Sequence, residues 1–253
     1  MNTEGFNDNV ILITGAAGGF GRLLVDRFAN AGSKLVLSDL ILESLDDFAE
    51  AFRNRGCDIV TQRCDVSIEA DVRALVETAV ARYGRLDIAI NNAGMSSAMK
   101  SLIDTEEADL DINFAVNTKG VFFGLKYQIQ QMLTQSEGGT ILNVASMAGL
   151  GGAPKLTAYC AAKHAVVGIS KTAALEYAKY NIRVNAICPY FSPTPLVTDG
   201  MDESMQGLLA KGSPMKRLGE PDEIVAAMVM MVAPENSYLN GQAIAVDGGA
   251  SAR

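Results

Sequence analysis

Apolar positions follow two alternating patterns along the chain. Short runs rich in β-branched and aliphatic residues fall at Val10 to Thr14, Lys34 to Ser38, Ile59 to Arg63, Leu86 to Ile90, Thr140 to Val144, Ile182 to Cys188 and Gln242 to Val246. The first shows no polar alternation, as expected of a strand buried on both faces of a parallel sheet. Between the runs, three- and four-residue apolar spacing predicts helices at Arg22 to Ala31, from Leu40 onward, at Asp71 to Arg82, through Ile112 to Met132, and at Ala158 to Tyr180. Alternation of this kind predicts an α/β protein with a doubly wound parallel sheet and helices on both faces. No internal repeat or low-complexity linker interrupts it, so residues 1–253 are expected to form a single domain.

Composition narrows the picture. With 49% apolar and 20% charged residues, the 253-residue chain is a compact globule rather than a disordered one. A formal net charge of -8 and the lack of a Lys/Arg cluster argue against a nucleic-acid partner. No apolar run is long enough to span a bilayer and the polar start is no signal peptide, so a cytoplasmic protein without a membrane partner is expected. Cys57, Cys64, Cys160 and Cys188 show no C-x-x-C spacing and read as reduced core thiols; with His164 the single histidine, no metal site is expected.

Candidate chemistry clusters at the ends of the predicted strands. The first strand runs into a glycine-rich turn, Gly15 to Gly21, followed at once by a helix. Strand, glycine turn and helix together aim backbone N–H groups at a pyrophosphate, and make Gly15, Ala17, Gly19, Phe20 and Gly21 candidate cofactor contacts. The second strand ends at Asp39, about 20 residues past the turn, where a carboxylate binds the adenosine ribose hydroxyls and repels a 2′-phosphate. Asp39 could instead cap the next helix. None of Ala16, Ala17 and Leu40 is the basic residue that NADP would want, so NAD is expected over NADP.

Tyr159 and Lys163 stand four apart in the alanine-rich helix and share a face. A phenol titrates near ~10, and a neighbouring ammonium lowers that value, so the pair can move a proton to or from an alcohol oxygen. Alone, the pair reads more readily as a core tyrosine and a surface lysine, since Y-x-x-x-K arises often by chance. His164 lies one helical step off that face and is expected to be structural.

Taken together, Thr14-Gly15-x-x-x-Gly19-x-Gly21, Asp65, Asn91 to Gly94, Asn117, Ser146, Tyr159-x-x-x-Lys163 and Asp247-Gly248-Gly249 closely resemble the short-chain dehydrogenase/reductase family, in order and over nearly the whole chain. The resemblance implies a Rossmann-type fold and hydride transfer between a nicotinamide cofactor and a carbonyl or alcohol carbon. It implies Tyr159 as general acid/base, with Lys163 lowering its pKa and holding the nicotinamide ribose. Ser146 would bind the substrate oxygen, and Asn117 a water for proton relay. Asp65 and Val66 would meet the adenine, and Asn92, Ala93 and Gly94 the adenosine side. A homotetramer is also implied. Ser146 could otherwise cap a turn, and Asn117 could satisfy backbone groups within its helix.

The chain departs from the family after Pro189, where Tyr190 replaces a glycine and Ser192 an aliphatic residue. Pro189, Ser192 and Thr194 would still hold the nicotinamide carboxamide, while Tyr190 is expected to narrow the substrate pocket. Residues 190–216, with prolines at 193, 195 and 214 and apolar Leu196, Val197, Met201, Met205, Leu208 and Leu209, are expected to form a substrate lid. With Met147, Tyr190 and Leu196 beside Ser146 and Tyr159, and few cations nearby, a neutral, largely apolar secondary alcohol or ketone fits best. The competing reading is a nucleotide sensor that keeps the fold but not the turnover.

Overall fold

Seven strands form one parallel sheet: β1 (Val10–Thr14), β2 (Lys34–Asp39), β3 (Ile59–Arg63), β4 (Ile88–Asn91), β5 (Gly139–Val144), β6 (Ile182–Pro189) and β7 (Ala243–Val246). Their order is β3-β2-β1-β4-β5-β6-β7. The chain builds outward from β1 to β3, then returns to the other side of β1 and builds outward again. The crevice at the carboxyl ends of β1 and β4 is therefore the switch point where such sheets bind ligands. The computed structural model describes residues 4–198 and 203–252.

Side-chain alternation in the strands divides the core into two layers. Ile11 and Ile13 of β1, with Leu35 and Leu37 of β2, pack on one face against α1 (Gly19–Asn30), α2 (Leu42–Arg53) and the later helix Pro221–Val232. Val10, Leu12 and Val36 face the other way. There they meet α3 (Glu69–Tyr83), the helix Gly120–Met132 and the helix Thr157–Tyr177. Registry is even, with Ile11 beside both Leu35 and Ile88, and Ile13 beside Leu37 and Ile90.

The helix expected through Ile112 to Met132 is three pieces: α4 (Glu107–Asn113), a π-helical segment (Phe114–Lys119) and α5 (Gly120–Met132). Apolar periodicity does not register a single widened turn, which is how the break escapes it; such widened turns concentrate at functional sites. β4 begins at Ile88 rather than Leu86, because Leu86 has both backbone groups taken by the Gln135 side chain, at 2.8 and 3.0 Å. Further α-helices among the described residues are α6 (Thr157–Tyr177), α7 (Pro195–Thr198), α8 (Glu203–Gly212) and α9 (Pro221–Val232).

A buried amide network crosses the centre of the sheet and ties it to α5 and α6. Asn91 and Gln128 exchange two hydrogen bonds at 2.8 and 3.0 Å, Asn91 donates to Asn143 at 2.8 Å, and Asn143 donates to Ser170 at 2.8 Å. Each member is at most 3% exposed, so a missing partner is not replaced by bulk water. Asn143→Leu is expected to lower stability by about 1–3 kcal/mol, through the polar groups it strands on Asn91 and Ser170. A urea midpoint equal to that of the wild type would refute this role.

Candidate active site

At the carboxyl end of β1 the chain turns through Gly15 with φ of +65°. A Cβ there would lie 2.9 Å from the Ala93 Cα, and one on Gly21 would lie 2.1 Å from the Gly15 carbonyl oxygen, so both positions need bare backbone. A Cβ on Gly19 would sit 2.7 Å from the Thr194 Cβ, which brings the segment after β6 onto the start of α1. Gly18 caps α1 without a side chain, leaving its first N–H groups pointed into the crevice.

Three side chains brace this cradle. Asp39 accepts the Ala17 N–H at 2.9 Å with one carboxylate oxygen and the Leu40 N–H at 2.8 Å with the other. It thus ties the glycine turn to the end of β2. The Thr14 hydroxyl accepts the N–H groups of Asn92 and Ala93 at 3.1 and 3.0 Å. Asn92 returns two bonds of 3.0 Å to the carbonyls of Thr14 and Gly15, which joins Asn92 to Gly94 with the glycine turn. Asp65 accepts from both the backbone and the hydroxyl of Ser67, at 3.0 and 2.6 Å, and its pKa is lowered chiefly by the hydroxyl. Val66 beside it packs where a Cβ on Gly120 would fall, 2.9 Å from its Cγ2. Phe20 packs against the sheet face shared with α1.

The candidate reacting groups gather at the ends of β4 and β5. Ser146 caps the short turn Met147–Gly149, accepting the Ala148 N–H at 3.2 Å, and its side chain lies near enough to Tyr159 to oppose the rise of the phenol pKa. Lys163 is 4% exposed on α6, yet its ammonium is held by the Val144 carbonyl at 2.8 Å. Asn117, fully buried in the π-helical segment, reaches out of its helix to exchange hydrogen bonds of 3.0 and 3.1 Å with the Met95 backbone. A Cβ on Gly94 would stand 2.9 Å from the Asn117 Oδ1 and 3.5 Å from the Lys163 Nζ. Both polar groups therefore converge on one bare piece of chain.

Burial raises the Tyr159 pKa, and the Ser146 side chain works against it. This corrects the expectation that Lys163 lowers it: the ammonium is engaged by Val144 and stands 5.6 Å from the ring centroid. The phenol is kept protonated at neutral pH, ready to donate. Burial also pulls Lys163 down to about 8. The buried thiol of Cys188, close enough to act electrostatically on both groups, is pushed up to about 11 by desolvation. Cys64 is buried too, whereas Cys57 and Cys160 are only half-buried, so two of the four cysteines are not core thiols. His164 lies exposed, its Nδ1 2.9 Å from the Cys160 carbonyl oxygen.

After Pro189 the chain departs from expectation. Ser192 is 2% exposed and its hydroxyl has no hydrogen-bond partner among the described residues. Thr194 is buried against Gly19. Tyr190 packs edge-on against Phe191, centroids 5.0 Å apart, and its hydroxyl donates to the Leu209 carbonyl at 3.2 Å. Its hydroxyl, rather than its ring, is thus engaged by α8. Met147 is half-buried beside Ser146. Of the other expected pocket residues, Met201 and the Leu196 side chain lie outside the described residues. The sequence motif includes Thr14 without assigning its hydroxyl a role, and does not include Asn113, whose Oδ1 accepts from Asn117 at 3.2 Å.

A doubly wound sheet with a glycine cradle at its switch point defines the class, a dinucleotide-type α/β protein. A family model described as enoyl-(acyl carrier protein) reductase matches residues 15–251. Levodione reductase of Leifsonia aquatica is 36% identical, over 99% of this chain and 97% of its own length. Cyclohexanol dehydrogenase of Acinetobacter sp. (strain SE19) is 35% identical, over 96% and 95%. The crystal structure of levodione reductase superposes with a TM-score of 0.94 at 36% identity, covering 98% and 99% of the two chains. NAD+-bound xylitol dehydrogenase does so at 0.90 with 31% identity, covering 96% and 99%. The chain belongs to the short-chain dehydrogenase/reductase family of oxidoreductases. Two features of this structure fit a nicotinamide dinucleotide: the bare cradle of Gly15, Gly19 and Gly94, and the orphaned buried hydroxyl of Ser192.

Because the unfolded chain holds the Lys163 proton more tightly, the destabilisation from this lysine is full below about 8 and fades as pH rises toward 10.5. Relative to the wild type, Lys163→Met is therefore expected to gain most stability below about pH 8, with the gap closing up to pH 10.5. Urea unfolding across that range reads the gap; a constant gap would show that Lys163 is not depressed.

Proposed function

We propose that the protein is an NAD(H)-dependent oxidoreductase acting on a neutral, largely apolar secondary alcohol or the corresponding ketone. The observation that carries this reading is the convergence of Ser146, Tyr159, Lys163 and Asn117 at the end of the cradle opposite Asp39. The turn Gly15 to Gly21, including Ala17 and Phe20, would hold the pyrophosphate, and Asp39 the adenosine ribose. Asp65 and Val66 would line the adenine site, and Asn92, Ala93 and Gly94 the adenosine side. Tyr159 and Lys163 would bind the nicotinamide ribose, with Pro189, Ser192 and Thr194 at the carboxamide. Nicotinamide, when bound, gives or accepts the hydride.

In reduction, Ser146 would orient the carbonyl oxygen and Tyr159 would donate its proton to it. Lys163 and Asn117 would return a proton to Tyr159 from solvent, the asparagine through a bound water. In oxidation the same groups work in reverse, and Tyr159 must first be deprotonated. Residues 190–216 would cover the substrate, and the whole chain would act as one cytoplasmic domain. The names of levodione reductase and cyclohexanol dehydrogenase support a cyclic alcohol or ketone as the substrate class. A homotetramer belongs to the same reading, supported by the exposed Leu110, Ile112 and Phe122 on α4 and α5.

The test is nicotinamide absorbance with NAD or NADP and a panel of aliphatic, cyclic and aromatic alcohols and their ketones. NAD is expected to outperform NADP, and Tyr159→Phe to lose at least about 10²-fold in kcat while still binding NADH. Preference for NADP would overturn the Asp39 assignment; NADH binding with no turnover on any substrate would favour the sensor. Since the raised phenol favours proton donation, the oxidation rate is expected to climb with pH above neutrality and the reduction rate to fall. Parallel pH profiles in the two directions would refute Tyr159 as the titrating group.

A further inference from the structure

We propose that Tyr190 is a positioning residue that sets the seat of α8, and through it the affinity for the substrate; the second half rests on the function proposed above. Tyr190 is itself firmly placed, its N–H bonded to the Val246 carbonyl of β7 at 3.0 Å. From that fixed point its hydroxyl reaches the Leu209 carbonyl at 3.2 Å. Leu209 lies in the last turn of α8, where carbonyls have no partner within the helix and must find one outside it. Tyr190 is thus a side-chain cap supplied from the end of the sheet.

Two further features match α8 to this tyrosine. A Cβ on Gly212, the last residue of α8, would lie 2.7 Å from the Tyr190 hydroxyl oxygen and 3.9 Å from Cζ, the ring carbon bearing it. The absence of a side chain at 212 thus makes room for the hydroxyl rather than for the ring. The neighbouring Phe191 carbonyl accepts the Gly219 N–H at 3.2 Å, so the Tyr190–Phe191 pair holds both α8 and the point where the chain returns toward α9. A cavity of about 120 Å³ beside the ring, bordered by Met215, Leu218, Ile224 and Val246, leaves that side loosely packed. Tight packing alone therefore does not hold the ring against α8, and the hydroxyl has a positioning task.

Hydrogen exchange and kinetics on the full chain test the proposal. In Tyr190→Phe, amides of residues 203–219 are expected to exchange about 3- to 10-fold faster, the range set by one net hydrogen bond, while those of β1 and α6 keep wild-type rates. KM for the alcohol is expected to rise by a similar factor, more than kcat falls, with NADH affinity by fluorescence titration unchanged. Gly212→Ala is expected to loosen the same amides in the wild type, but to add little in the Tyr190→Phe background, where the clashing oxygen is gone. Wild-type exchange in Tyr190→Phe, or a Gly212→Ala effect of equal size in both backgrounds, overturns the tether whether or not a substrate is known. Faster exchange with unchanged KM overturns the link to substrate affinity while leaving the tether and the reaction class standing.

Discussion

The hydrogen bond from the Lys163 ammonium to the Val144 carbonyl holds the chemistry in place. It binds the longest helix, α6, to the end of the strand that leads into Ser146, and does so from inside the protein. A charge so buried is tolerable only where something accepts its protons, and the last carbonyl of β5 does so. Close packing around it follows. A Cβ on Gly149 would come within 2.6 Å of the Lys163 carbonyl oxygen, so the turn carrying Ser146 and Met147 must run bare against α6. Ser146 and Tyr159 meet because these two elements have no freedom to separate.

The cradle uses the same device of joining loops through buried polar side chains. Thr14 and Asn92 bind the turn after β1 to the turn after β4, and Asn117 binds the chain just beyond to the π-helical segment. These side-chain hydrogen bonds therefore tie the loops at the switch point to one another. Their spacing is fixed by the sheet beneath, where Ile13 stands beside Ile90.

Much of this was legible in the sequence. All seven strands lie within two residues of where the β-branched and aliphatic runs put them, and β1, buried on both faces, leaves an unbroken apolar signature. Ser146, Tyr159 and Lys163 meet as the motif spacing implies, since each follows directly from a strand end or a helical repeat. What stayed hidden depends on contacts between distant segments. The widened turn at Phe114–Lys119 leaves the apolar period nearly intact while it lets Asn117 reach Met95. The direction of the Tyr159 shift depends on how deeply α6 sinks and on which acceptor takes the ammonium, and neither is written in Y-x-x-x-K spacing. Tyr190 was conspicuous as a departure, but its target, a carbonyl nineteen positions away, could be read only from the folded chain.

The double engagement of Asp39 bears on how cofactor preference could be remodelled, by evolution or by an engineer. The carboxylate that would meet the ribose is also the acceptor for the Ala17 N–H in the glycine turn. Exchange for a small apolar or a basic residue removes a repulsive charge and, in the same step, strands a backbone donor in the loop that would grip the pyrophosphate. Asparagine keeps an acceptor and sheds the charge, which makes it the least disruptive intermediate along such a path. Change of preference in this scaffold is thus coupled to loop integrity, and a single substitution at position 39 trades one against the other.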